Sequence, residues 1–137
     1  MTPEADDRAR EPAEGTVVDA FGAAPPTRNN HARTRLHGPF IVVEAAGDID
    51  LATAGFLAEH LDAATAGPEP DVLADLRGVA FFDCSGLRVL CRAEERASAR
   101  GGRLRIVATD PRLRRLLRAS GLLNRFPPLP GLPKERE

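Results

Sequence analysis

The residues of this chain best placed to do chemistry are Asp83-Cys84-Ser85-Gly86-Leu87. The apolar run Val79-Ala80-Phe81-Phe82 ends there and a helix-like pattern begins, so Ser85 is predicted to cap a helix with its hydroxyl on an exposed turn. A hydroxyl in that place can be a nucleophile, a structural cap or a phosphate acceptor. As a cap, it accepts from a first-turn amide and is worth ~1 kcal/mol. As a phosphate acceptor, it has helpful neighbours. Gly86 removes a side chain beside the hydroxyl, which lets another protein come close, and Asp83 lies two residues upstream. The free amides of a helix start also suit a phosphoryl group. A phosphate would add roughly −1.5 to −2 charges beside that carboxylate, to the cost of any partner packed on the turn.

The nucleophile reading lacks a base. The hydrolase elbow needs Gly-x-Ser-x-Gly, and Cys84-Ser85 is preceded by Asp83 instead. The only histidines are His31 in the leader, His37 in a turn and His60 on a helix, where a surface or boundary place is expected. Cysteine phosphatases need an arginine six residues after the cysteine, and the sixth residue after Cys84 is Leu90. Cys84 reads instead as a buried small residue under the turn. Cys84 and Cys91 would stand roughly 10 Å apart along a helix, too far for a disulfide, and free thiols suit a reducing cytosol. Two cysteines at that spacing with no nearby histidine do not match a zinc site. The chain has no Gly-x-Gly-x-x-Gly and no phosphate-binding loop. No cofactor and no metal is expected.

Positioning that turn is the task of a short α/β alternation. Strands are predicted over residues 33–36 and 40–46, joined across His37-Gly38-Pro39. Residues 51–66 read as a helix, with Leu57, Leu61 and Ala64 at i, i+4 and i+7. Short strands over 71–75 and 79–82 lead into the Ser85 turn, and residues 86–100 form a second helix ended by Gly101-Gly102. A strand over 104–108 precedes a third helix, opened by Asp110 as N-cap and Pro111 at N1 and ended by Gly121. The order argues an open α/β sheet. On the second helix Arg88, Arg92, Arg96 and Arg100 form one ridge, opposite Leu87, Leu90, Cys91 and Ala97. The bland reading of the ridge is a solvated face partly neutralised by Glu95.

The chain's 137 residues fit one domain, with 42% hydrophobic and 28% charged residues as in ordinary soluble proteins. Charge is uneven: 14 acidic and 5 basic residues up to Asp75, then 6 acidic and 14 basic. The arginines of the third helix (Arg112, Arg114, Arg115, Arg118) lie near no interleaved aromatic residue, so direct DNA binding is not expected. Residues 1–33 read as a disordered leader, with an apolar cluster of Val17, Val18 and Phe21 that could be a docking peptide over 16–21. Residues 127–137 read as a Pro-rich tail hanging as a loose end. Residues 1–20 lack an apolar signal core, and no run approaches a membrane span.

Residues 34–126 resemble the STAS family, in its anti-sigma factor antagonist branch. Three segments carry the likeness. Gly47-Asp48-Ile49-Asp50-Leu51-Ala52-Thr53-Ala54 looks like the family's turn before its first helix. Asp83-Cys84-Ser85-Gly86-Leu87 looks like its Asp-Ser-Ser-Gly-Leu phosphorylation loop, and Ser120-Gly121-Leu122 resembles the segment after the third helix. The resemblance implies an α/β fold, a single STAS-like domain of one small mixed β-sheet with helices packed mainly on one face. It implies a cytoplasmic, non-enzymatic switch that binds an anti-sigma factor acting as a serine kinase, so that the sigma factor is released. Ser85 would be the phosphoacceptor, reset by a serine phosphatase. Asp83, Cys84, Gly86, Leu87, Arg88 and Arg92 would form the phosphorylation loop and partner contact, and Asp48, Asp50 and Thr53 the partner-facing turn. This chain departs from the family pattern in Cys84, where Ser or Thr is usual, and in a Pro-Pro-Leu-Pro ending where members often close with a helix. The alternative within the same family is a scaffold of a larger signalling assembly, in which Ser85 is only a cap.

Overall fold

A computed structural model describes residues 25–134. The chain runs β1 (Ala32–His37), β2 (Phe40–Ile49), α1 (Ala54–Ala64), β3 (Asp71–Phe82), α2 (Cys84–Ala99), β4 (Arg103–Val107) and α3 (Pro111–Ala119). The four strands form one mixed sheet in the order β1-β2-β3-β4, with β1 antiparallel to β2 and the other pairs parallel.

Alternation decides what faces the helices. Ile41, Val43 and Ala45 of β2, Val72, Ala74 and Leu76 of β3, and Leu104 and Ile106 of β4 join one buried cluster with the inner faces of all three helices. Leu57, Leu61 and Ala64 come from α1, Leu87, Leu90, Ala93 and Ala97 from α2, and Leu113 and Leu117 from α3. Each fully buried leucine stabilises the fold by about 1.5–3 kcal/mol relative to exposure. The core is aliphatic, as the composition requires, with Phe126 as its largest fully buried side chain.

The other sheet face carries a small apolar patch, Phe40, Val42, Leu73 and Val107. The Pro-rich tail covers it and does not hang loose. Leu129 and Leu132 pack on the patch, Leu129 bridges Val107 in parallel, and its N–H donates to the Ile106 carbonyl at 3.0 Å. Beyond the patch this face is charged. Arg33 and Arg35 both bind Glu44, and Arg77 holds the buried Asp75 in a two-point pair. Burial pushes both carboxyls up, but the arginine hydrogen bonds outweigh it and leave Glu44 and Asp75 below the ordinary carboxylate range.

Several boundaries differ from the sequence expectation. The first helix starts at Ala54 rather than Leu51, because residues 50–53 fold into a turn held by their own side chains. The two short strands before Ser85 are one twelve-residue β3, whose register against β2 shifts twice to carry it past Gly78. His60 is neither surface nor boundary. It is fully buried, its Nδ1 2.6 Å from Thr34 Oγ1 and its Nε2 3.2 Å from the Thr27 carbonyl. A carbonyl can only accept, so Nε2 carries the proton. The last residues of the leader are thereby tied to α1, while the 16–21 segment lies outside the described residues.

Candidate functional site

The Ser85 turn sits at the end of β3, where the strand hands over to α2. Its cap is Asp83, not Ser85. Asp83 has extended backbone angles (φ −124°, ψ −166°), and its Oδ1 accepts from the Ser85 N–H at 2.8 Å. A carboxylate two residues before the amide reaches it more readily than a hydroxyl already inside the helix. Ser85 is therefore the second helical residue, half-buried, and its hydroxyl makes no hydrogen bond among the described residues. The hydroxyl is spare.

Two neighbours have roles other than those expected. Cys84 is exposed, not buried under the turn, because as the first helical residue it points away from the core. Gly86 is buried, and a Cβ there would lie 2.5 Å from the Phe82 ring. Its missing side chain makes room for that ring beneath the helix start rather than for an approaching protein. Leu87 beside it is in the core. Arg88, one turn from Ser85, is exposed and makes no ion pair among the described residues.

The arginine ridge is divided. Arg92 and Arg96 both reach Asp62 of α1, and Arg96 also donates to Thr65 Oγ1 and the Asp62 carbonyl. They clamp α2 to α1. Glu95, expected to neutralise the ridge, lies instead 3.5 Å from Arg125, which also binds Glu94. Cys91, assigned to the buried face, is partly buried and packs against the core.

The 50–53 turn is the neighbour of the serine turn. Asp48 and Ile49 lie opposite Phe81 and Phe82 in the β2–β3 register, and the Asp83 N–H donates to the Ile49 carbonyl at 3.3 Å. Asp50 Oδ1 accepts from the Ala52 and Thr53 amides, and Thr53 Oγ1 donates to the Asp48 carbonyl at 2.6 Å. Asp50 and Thr53 thus spend most of their polar capacity on shaping the turn. The Asp48 carboxylate makes no hydrogen bond or ion pair among the described residues. At the tip, Leu51 is 83% exposed. Sequence reasoning missed Leu51 by placing it in a helix. The signal was an apolar residue between the two members of an Asp-x-x-Thr turn.

The third segment closes the arrangement. Gly121 (φ +75°) ends α3 with paired bonds, Leu122 N–H to the Leu117 carbonyl and Gly121 N–H to the Arg118 carbonyl. This brings Ser120 and Leu122 to the wall of an open groove of about 710 Å³, shared with Cys84, Leu87, Arg88 and Cys91. All three sequence segments therefore meet around the start of α2. Among the described residues no His, Cys, Asp and Glu cluster suits a metal, and no helix is long and apolar enough to cross a membrane.

Fold and site together define a class: a small mixed-sheet α/β domain presenting an unbonded serine at a strand-to-helix turn, ringed by exposed apolar and charged side chains. The family profile described as "STAS domain" matches residues 31–133, and the chain belongs to that family. It is 34% identical over 88 residues to the anti-sigma-F factor antagonist RsfA of Mycobacterium tuberculosis, covering 62% of this chain and 68% of that protein. The crystal structure of an anti-sigma factor antagonist from Mycobacterium paratuberculosis is 32% identical, with a TM-score of 0.67 over 74% of this chain and 86% of that one. The unphosphorylated form of the anti-sigma factor antagonist SpoIIAA shares the fold at 15% identity, with a TM-score of 0.52 over 64% of this chain and 81% of the other.

Proposed function

We propose that this chain is an anti-sigma factor antagonist, cytoplasmic and without catalytic activity of its own. While Ser85 is a free alcohol, the protein binds an anti-sigma factor that is also a serine kinase. The kinase then moves the γ-phosphoryl group of ATP to Ser85 Oγ, ADP leaves, and the hydroxyl proton passes to the kinase. A serine phosphatase restores the alcohol. Asp48 and Leu51 on one side and Cys84, Arg88 and the groove on the other form the docking surface, with Asp50 and Thr53 fixing the shape of the first turn.

The observation that carries this reading is the unbonded Ser85 hydroxyl two residues from a carboxylate that has no cation of its own. A neutral hydroxyl leaves the surface unchanged. A phosphate puts a second anion beside Asp83 at the centre of the contact. A loss of ~3 kcal/mol would weaken binding more than a hundredfold, enough to release a partner. The names and fold of the relatives support the same assignment.

The test pairs the purified chain with anti-sigma factors of its own organism. Ser85→Ala is expected to bind as tightly as the unmodified protein and to accept no phosphate from ATP. Ser85→Asp is expected to bind at least ~100-fold more weakly. Mass spectrometry should place the single phosphate on Ser85. Equal binding by all three proteins, with Ser85 unmodified, would leave a STAS scaffold whose serine does not switch.

A further inference from the structure

We propose that Arg88 is the intramolecular ligand of a phosphate on Ser85: once the serine carries a phosphoryl group, the Arg88 guanidinium closes on its oxygens. This role rests on the reading of Ser85 as the phosphoacceptor and concerns what the chain itself does with the new charge. Ser85 and Arg88 stand three residues apart within α2. Residues at that spacing are neighbours on a helix surface, with about 5–6 Å between their Cβ atoms. Helical side chains lean toward the helix N-terminus, so the Arg88 stem lies over the turn that carries Ser85. Ser85 is half-buried with an unbonded hydroxyl, and Arg88 is exposed with no ion pair among the described residues. Nothing in the fold has to be broken for the two to meet.

The surroundings single out this cation. The charged residues of the groove beside the turn are Asp62, Arg88, Arg92 and Glu95. Arg92 lies 3.5 Å from Asp62, which also holds Arg96, and Glu95 lies 3.5 Å from Arg125. Of the four, only Arg88 has no opposite charge within pairing distance among the described residues. The end of α3 adds the uncharged Ser120 and Leu122 to the groove wall. The serine turn and the turn before α1 contribute Asp83, Asp48 and Asp50, which repel a phosphate. The helix start has little left to donate, because the Ser85 amide is taken by Asp83 Oδ1 at 2.8 Å and the Leu87 amide by the Asp83 carbonyl at 3.2 Å. A guanidinium offers a phosphate two parallel N–H donors in one plane, which a lysine cannot. Arg88 is also the unpaired cation of the proposed docking surface. Its capture subtracts a positive charge from that surface at the moment the phosphate adds negative charge, so a partner loses an attraction and meets a repulsion together.

Phosphoserine placed at position 85 during synthesis of the full chain tests this with no kinase and no partner, so the result is separate from that of the partner-binding test above. A ³¹P NMR titration follows the second ionisation of the phosphate, which lies at about 6 in an ordinary phosphoserine. With Arg88 present it is expected roughly 0.3–0.7 units lower than in Arg88→Gln, the range of an exposed ion pair. Arg92→Gln, two turns from Ser85 on the same ridge, is expected to move it far less. The Arg88 Nε–H resonance should shift downfield along the same titration curve. Arg88 is exposed, so its replacement leaves the core intact. An ionisation unchanged by Arg88→Gln, or an Arg88 Nε–H signal that ignores the titration, overturns the proposal. Equal rises in Arg88→Gln and Arg92→Gln also overturn it, in favour of a general positive field along α2.

Discussion

At the start of α2, Asp83 Oδ1 accepts from the Ser85 amide at 2.8 Å, and at the start of α3, Asp110 Oδ1 accepts from the Arg112 amide at 2.9 Å. In both helices the cap bonds the amide of the second helical residue. They differ in what that second residue brings. Arg112 folds back and binds Asp110 through Nε and Nη2, the latter at 2.8 Å. Its guanidinium holds the Asp110 carboxyl below the ordinary range. Ser85 brings a hydroxyl with no bond, and Asp83 keeps an uncompensated charge. A cap that serves only the fold is neutralised at once. At the α2 cap, one more negative charge would meet an unneutralised carboxylate, and the proposed phosphate-driven release uses that difference.

The third helical residue sharpens the contrast. In α3 it is Leu113, whose side chain enters the core, and in α2 it is Gly86, because Phe82 already occupies that space. Gly86→Val should therefore destabilise the protein by about 1–3 kcal/mol through overpacking, measured by urea unfolding. Phe82→Leu in the same chain should recover part of the loss. If Gly86→Val costs nothing, the glycine is not there for the ring, and the reading in which it admits a partner returns.

The caps themselves come next in size. Asp83→Ala and Asp110→Ala should each cost ~1 kcal/mol of unfolding free energy. Asparagine keeps the accepting oxygen and removes the charge, so Asp83→Asn should stay near wild-type stability. It should also soften the binding defect of Ser85→Asp, because the new carboxylate then has no like charge beside it. An undiminished defect in the double variant would mean that release is steric and not electrostatic.

Much of this was legible in the sequence where local chemistry decides. Asp110-Pro111 followed by Gly121 marked both ends of α3, and the apolar spacing of Leu57, Leu61 and Ala64 marked the inner face of α1. The Asp83-Cys84-Ser85-Gly86-Leu87 segment marked the strand-to-helix turn at the start of α2. Wherever distant residues decide, the sequence misled. Ser85 and Asp83 are both good caps, and only backbone geometry chooses between them. Gly86 looks the same whether a partner or Phe82 fills its space. His60 is buried because Thr34 and Thr27 arrive from elsewhere in the chain to satisfy its ring. The prolines of the tail forbid helix but do not announce that Leu129 and Leu132 will find the sheet face beneath Phe40 and Leu73. Nothing local told that β3 would outrun β4.

Arg112→Ser gives α3 the Asp-x-Ser cap of α2 and carries the smallest expected effect. The Asp110 carboxyl is held down chiefly by the Arg112 side-chain hydrogen bond, then by the Arg112 amide, and its side chain is partly exposed to solvent. Removing the guanidinium leaves the amide bond, so the carboxyl should titrate closer to its ordinary value in a ¹³C-detected pH titration. The sign of the stability effect follows from linkage. A carboxyl depressed in the folded state stabilises the fold above its unfolded pKa of about 3.9, and that contribution is lost as pH falls through the folded value. The variant should therefore be slightly less stable than wild type at pH 7, and the two unfolding curves should converge in acid below that window. Surface exposure keeps the difference within the small range typical of exposed ion pairs. A gap that stays constant from neutral pH into acid would show that Arg112 acts through packing, and the two caps would then differ in shape rather than in charge.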